Sequence, residues 1–217
     1  MYKAWGKRAL DIVLSLCGLI ALSWVYLLIA LAIYVDDPGP VIFTQRRVGV
    51  KKDGKLTYFQ LHKFRSMKMA TPHDVPTHLL ENPDAYITRV GKFLRKSSLD
   101  ELPQIWDILV GDMSIIGPRP ALWNQDDLVA EREKYGANDV TPGLTGWAQV
   151  NGRDEVTIED KAKLDGEYVA HISLKMDVTC FWATVGNVLK AKGVVEGGTG
   201  MMEKSIRNRQ EEVGGRG

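Results

Sequence analysis

Two adjacent acids, Asp100 and Glu101, lie in the stretch Ser97 to Trp106, SSLDELPQIW, between two leucines and just ahead of Pro103. Paired carboxylates suit metal or acid chemistry. They can also simply start a helix: Ser98-x-x-Glu101 fits a capping box, and acids near a helix N-terminus are favoured by its dipole. Three neighbouring strings add chemistry to the pair. GDMSIIGPRP, Gly111 to Pro120, sets two glycines and two prolines around Arg119 and reads as a rigid loop presenting one guanidinium, whose fork suits a phosphate. TPGLTGWAQVNGR, Thr141 to Arg153, ends on another arginine, and KFRSM supplies Lys63 and Arg65. With Arg95, this makes Lys63, Arg65, Arg95, Arg119 and Arg153 candidate anion contacts around the acids, a phosphate-handling constellation. Neither a Walker loop nor a Rossmann glycine fingerprint is present, which disfavours the usual nucleotide folds.

The elements that must position these groups follow from local pattern. After the turn signal Asp36-Asp37-Pro38-Gly39-Pro40, the runs VIFTQRRVG and LTYFQLHKFRSM flank a Lys/Gly-rich turn at Lys51 to Lys55 and read as a β-hairpin. Thr71 to Asp84 reads as a surface loop, and Ile87, Val90 and Leu94 recur at helical spacing. Pro103 predicts a helix start running through QIWDILV to Gly111, because proline suits a first helical turn and the residue before it avoids one. Further helices are predicted over Ala121 to Tyr135, Ile158 to His171 and Ser173 to Lys190. The last carries an apolar stripe of Val178, Phe181, Trp182, Val185 and Leu189, which fits either an interfacial membrane helix or an ordinary core-facing one. The Gly- and Glu-rich tail from Gly193 reads as mobile.

The 217 residues suffice for one core with an appendage. Net charge is +1, but from Pro38 to Asp100 there are 12 basic residues against 5 acids, and from Glu101 to His171 there are 6 against 14. A basic half before an acidic half suits an anionic partner beside metal or acid chemistry, or two ordinary complementary faces. Cys17 and Cys180 have no metal-ligand spacing and read as buried thiols in a reducing compartment. Ile12 to Val35 is an uncharged apolar run of 24 residues, where about 20 cross a bilayer and a signal peptide core needs about 7 to 15. Basic residues flank both ends (Lys3, Lys7 and Arg8; Arg46, Arg47, Lys51 and Lys52), so charge does not orient it. It either spans or bends back, with Gly18 and Ser23 as weak bend sites.

KRALDI, GPVIFTQRRVG, KFRSM, LRKSSLDELPQIWDILVGDMSIIGPRP and PGLTGWAQVNGR together resemble the monotopic phosphoglycosyl transferases, the bacterial sugar transferase family, over most of residues 1 to 190. The resemblance implies a mixed α/β fold, mainly helical with a small β-hairpin: a re-entrant membrane helix at 1–37, a catalytic domain at 38–192 seated by interfacial amphipathic helices, and a tail at 193–217. It implies transfer of a sugar 1-phosphate from a UDP-sugar to polyprenyl (undecaprenyl) phosphate, releasing UMP, at the cytoplasmic face of a bacterial inner membrane. By the same resemblance Asp100 is the nucleophile, and Glu101 is its partner associated with Mg²⁺, Asp100 being the other candidate metal contact. Arg119 and Arg95 would contact nucleotide phosphates, Lys63 would pair with the dyad, and Asp165 in KLDGEY would be an acid near the site, a solvated helix face being its plain alternative. The short form resembles transferases that take N-acetylated UDP-hexoses. The lipid bilayer is an implied partner, nucleic acid is not, and a homodimer stays open. Three departures from the family pattern stand out: Ser23-Trp24 where Ser-Pro often bends the helix, Asp107 where Asn is common, and Ile158 where Trp is common. A sugar-only transferase and a silent nucleotide-sugar-binding scaffold are the competing readings.

Overall fold

A computed structural model of the chain describes residues 2–71, 83–152 and 156–189. The loop expected at Thr71 to Asp84 falls largely outside these residues, as do Arg153 and the tail from Gly193. Following a π-helical turn at Tyr2–Gly6, α1 (Lys7–Asp36) is a 30-residue helix, long and apolar enough to cross a membrane. It runs without a break through Gly18 and Ser23. Gly18 lies against Ile105, and the Ser23 hydroxyl donates back to the Ile20 carbonyl at 2.9 Å.

One stripe of α1 faces the rest of the molecule along nearly its whole length. Arg8 donates to the Ile108 and Leu109 carbonyls, Asp11 accepts from the Ile115 amide at 3.0 Å, and Ser15 is buried. Farther along, the Tyr26 hydroxyl donates to the Leu102 carbonyl, and Ile29 and Ile33 join Phe64 and Leu94 in a core cluster. At 1.5 Å per residue the stripe from Arg8 to Ile33 covers about 37 Å. The opposite face is open and apolar, with Trp24 62%, Leu27 73% and Leu31 61% exposed. Cys17 is on this outward side and is not the buried thiol expected; Cys180 is buried, and burial pushes its thiol up to about 11.

The hairpin is β1 (Ile42–Lys52) and β2 (Lys55–Phe64), antiparallel, with Arg47 opposite Phe59 and Lys63 opposite Phe43. Its turn is set by Asp53 and Gly54, both at positive φ. The short helix α2 (Pro83–Tyr86) leads to α3 (Arg89–Ser97), capped by the Thr88 hydroxyl on the Gly91 amide, and α4 (Gln104–Val110) follows Pro103 and stops at Gly111, φ 102°. Sequence pattern missed a two-stranded parallel pair, β3 (Ser114–Ile116) and β4 (Gly143–Thr145). Gly117 and Gly143 cross there so closely that a Cβ on Gly143 would stand 2.1 Å from the Gly117 nitrogen.

Between them α5 spans only Asp126–Glu133, shorter than the expected Ala121 to Tyr135. Its would-be first turn is spent on β1: the Val48 amide donates to the Ala121 carbonyl, Leu122 bridges Arg47, and Gln125 Oε1 accepts from the Leu122 amide. The chain continues through α6 (Trp147–Asn151) and α7 (Ile158–Ala170) to α8 (Leu174–Leu189). The fold is therefore mixed, mainly helical with one small antiparallel hairpin.

The apolar stripe of α8 points away from the core: Val178, Phe181 and Trp182 are 47%, 46% and 64% exposed, while Asp177 and Cys180 face inward. Asp177 gathers the N-terminal segment, with Tyr2 Oη at 2.5 Å, Lys7 Nζ at 2.8 Å and Tyr168 Oη at 2.8 Å. Burial of the two phenols, and then the Asp177 charge and hydrogen bonds, hold both above their ordinary values. Removing one partner of a buried charged network leaves the others unpaired. Asp177→Ala is expected to destabilise the protein by about 3 kcal/mol and to expose the Tyr2–Gly6 segment to limited proteolysis, read by thermal melting and by digestion against wild type.

Candidate active site

The turn Leu99–Glu101 is a single 3-10 turn entered from Ser98, which sits in the left-handed region at φ 57°. No capping box forms: the Ser98 side chain makes no cap hydrogen bond. The two leucines explain the placement of the acids. Leu99 and Leu102 pack into the cluster around Ile29, Ile33, Phe64 and Leu94, so the intervening residues are held at a fixed place beside α1 and β2. Asp100 is 5% exposed. Glu101 turns its carboxylate to two cations: Lys63 Nζ donates to Oε1 at 2.9 Å and Arg119 Nη2 donates to the same oxygen at 2.8 Å.

Burial alone would push the Glu101 carboxyl up, yet the Arg119 and Lys63 charges and hydrogen bonds overcome it and hold the group well below the usual carboxylate range. Glu101 is therefore ionised at neutral pH. Both ion pairs fall on Oε1. Among the described residues no group of three or more His, Cys, Asp or Glu could hold a metal ion by itself. The donor set still suits Mg²⁺, which is commonly bound by one or two carboxylates and completed by substrate phosphates and water.

Other candidates have different surroundings. Arg95 Nε donates to Ser66 Oγ at 2.8 Å. Arg65, 7% exposed, is bonded to the Asp37 carboxylate and to the Asp37 and Pro40 carbonyls, tying the end of α1 to β2. Asp165, 1% exposed, is paired with Arg132 on the seam of α5 and α7; it is neither on a solvated face nor in the Glu101 cluster. Arg153 lies outside the described residues.

Two features escaped the sequence reading. Asp107 is fully buried on α4 and binds His62 twice, through the backbone amide at 2.9 Å and Nδ1 at 2.5 Å. The departure from Asn at this position was its one visible signal, since a carboxylate can accept both bonds. Arg47 turns inward beside the Arg119 loop, while Arg46, one residue earlier, lies over the Tyr58 ring at 4.4 Å. The period-two alternation of a strand separates the two, but not which of them faces in.

Residues 2–191 match the family described as bacterial sugar transferase. The chain belongs to the bacterial sugar transferase family. Among curated relatives, it is 43% identical over 192 residues to an Escherichia coli K12 protein named UDP-glucose:undecaprenyl-phosphate glucose-1-phosphate transferase, covering 82% of this chain and 39% of that protein. It is 39% identical to a Xanthomonas campestris protein of the same name, covering 88% and 40% respectively. The chain thus spans about two fifths of the length of these two relatives. The Bacillus subtilis sugar transferase EpsL, described as uncharacterized, is 36% identical over 188 residues, with 87% and 89% covered. The chain therefore matches relatives over most of their length and others over less than half of it.

Because the folded Glu101 pKa is depressed, its stabilisation is full above its unfolded value near 4.5 and is lost as pH falls below that. Glu101→Gln is expected to cost about 2 kcal/mol at pH 7 and to flatten the fall in melting temperature between pH 5 and 3. A melting series of both proteins across that range checks it. Asp165→Ala leaves Arg132 buried and unpaired, and about 3 to 5 kcal/mol of destabilisation is expected. The double variant Asp165→Leu with Arg132→Met should recover most of it, read by thermal melting in detergent.

Proposed function

We propose that this protein transfers a sugar 1-phosphate from a UDP-sugar to polyprenyl phosphate, with Asp100 as the nucleophile. The observation that carries the reading is the meeting of Lys63 and Arg119 on Glu101, next in sequence to a second acid, in a member of the bacterial sugar transferase family. Relatives named for undecaprenyl phosphate and UDP-glucose or UDP-galactose give the substrate classes their support. In the first step an Asp100 carboxylate oxygen attacks the β-phosphorus of the UDP-sugar. A bond to the sugar phosphate forms, the bond from that phosphorus to the bridging oxygen breaks, and UMP leaves. A polyprenyl phosphate oxygen then attacks the same phosphorus, releasing the Asp100 carboxylate and giving polyprenyl diphosphate sugar.

Glu101 stays ionised throughout and keeps Lys63 and Arg119 side by side, where their donors can meet the diphosphate oxygens. Asp100 and Glu101 would hold Mg²⁺, which when bound neutralises charge on the diphosphate and the leaving group. For the sugar, the relatives' names suggest glucose and galactose, and an N-acetylated hexose is tested beside them.

The same reading keeps both ends of α1 on the cytoplasmic face. UDP-sugars are cytoplasmic, and α1 carries the catalytic elements along about 37 Å of its length. A spanning helix would drag Asp11, Gln104 and Asp107 into hydrocarbon, where buried polar groups are costly. The outward faces of α1 and α8 suit immersion in one leaflet instead.

Detergent-solubilised protein supplied with Mg²⁺, undecaprenyl phosphate and a panel of UDP-glucose, UDP-galactose and N-acetylated UDP-hexoses tests the proposal. Release of UMP that falls at least 10³-fold in Asp100→Asn is the expected result, since loss of a covalent nucleophile removes the two-step route. Release of UDP would mean sugar transfer alone and would sink the phosphosugar intermediate. Silence across the panel with UDP-sugar binding intact would point to a scaffold.

A further inference from the structure

Arg47 is an arginine that the site chemistry above does not use, although it is enclosed beside it. It shares the inner face of the hairpin with Gln45 and, on the opposite strand, Leu61 and Lys63, by the pairing of Gln45 with Leu61 and Phe43 with Lys63. Its Nη1 donates to the Pro120 carbonyl at 3.0 Å and its Nη2 donates to Gln45 Oε1 at 2.7 Å. Its Nε is buried with no hydrogen-bond partner among the described residues. Burial, and then the nearby Arg119 charge, push the guanidinium down to about 9, with Glu101 opposing them. A buried cation beside a like charge is expensive, so something must offset it.

We propose that Arg47 is a positioning residue of this site: through the Pro120 carbonyl it sets the Arg119 guanidinium on Glu101, and Gln45 orients Arg47 for that task. This rests on the reading of Lys63, Glu101 and Arg119 as the phosphate-handling group.

The lever is short and stiff. Arg119 lies between Pro118 and Pro120, whose rings lock φ on both sides, and the residue before a proline is itself restricted. Anchoring the Pro120 carbonyl therefore leaves few soft torsions through which the Arg119 Cα could drift. Two further bonds hold the flanks of the loop: the Val48 amide on the Ala121 carbonyl at 3.0 Å and the Gly143 amide on the Pro118 carbonyl at 2.8 Å. Neither bond reaches the peptide group between Pro120 and Ala121 from its carbonyl side, where Arg47 acts. A guanidinium meets Pro120 and Gln45 together because its two terminal amino groups diverge in one plane; a lysine has no such fork.

The test compares Arg47→Lys, Arg47→Met and Gln45→Ala, each alone, and Arg47→Met also combined with Arg119→Ala. KM and kcat are read by UMP release with the UDP-sugar that wild type turns over, and thermal midpoints are read in detergent. Arg47→Met is expected to raise the KM for the UDP-sugar about tenfold, with Arg47→Lys and Gln45→Ala each about threefold, and to have no added effect once Arg119 is gone. An unchanged KM in Arg47→Met overturns the proposal, and so do effects of Arg47→Met and Arg119→Ala that simply multiply. If Arg47→Met does not fold, Arg47→Lys and Gln45→Ala decide by the same KM criterion. Wild-type silence on the whole panel would count against the transferase reading instead. The cycle of thermal midpoints then decides for Arg47: coupling with Arg119 sustains the positioning role, and additivity overturns it.

Discussion

Glu101 Oε1 takes Lys63 from β2 and Arg119 from the proline-flanked loop, and three distant parts of the chain are brought to one point by that oxygen. Each has to be delivered by its own support. The acid turn is delivered by Leu99 and Leu102, seated in the core against α1. Lys63 is delivered by the register of the hairpin, and its neighbour His62 is clamped to α4 by Asp107. Arg119 is delivered by a loop whose one edge is the Gly117 and Gly143 crossing and whose other edge is stitched to β1. Two cations sharing one carboxylate oxygen repel each other, and the backbone contacts on each side oppose that repulsion.

Local pattern was enough for most of the elements. The hairpin is marked by two β-rich runs about a Lys/Gly turn, α4 by Pro103 at its start and Gly111 at its end, and α1 by its uncharged run. What pattern could not carry was pairing between segments far apart in sequence. The parallel pair β3 and β4 is three residues a side, too short for alternation to register, and it depends on glycines crossing at a distance only the assembled fold defines. The early start given to α5 failed for the same reason, because Ala121 and Leu122 look helical until β1 claims them.

The site shows a similar division. Glu101, Lys63 and Arg119 were named from residue type and motif, and the structure brings these three together. Arg65 and Asp165 were chosen by the same logic but are held by Asp37 and by Arg132, partners that charge type could not reveal. Arg47 was overlooked because an arginine in an alternating strand is ordinarily a solvated one. The outward stripe of α8 is the converse case, an apolar face that a core-forming helix would have hidden.

The docking of α1 by one stripe divides the helix into a face that must fit its neighbours and a face that need not. Phe64 and Leu94 complete their packing on Ile29 and Ile33, so the rest of the fold has no finished interior of its own on that side. A change of volume on the inner stripe of the helix is therefore felt directly by the hairpin and α3, and a replacement of α1 has to fit Phe64 and Leu94 as well. The outward face is bound by a looser rule, needing only to stay apolar. One helix thus obeys two packing rules, one set by the interior it completes and one by the surface it faces.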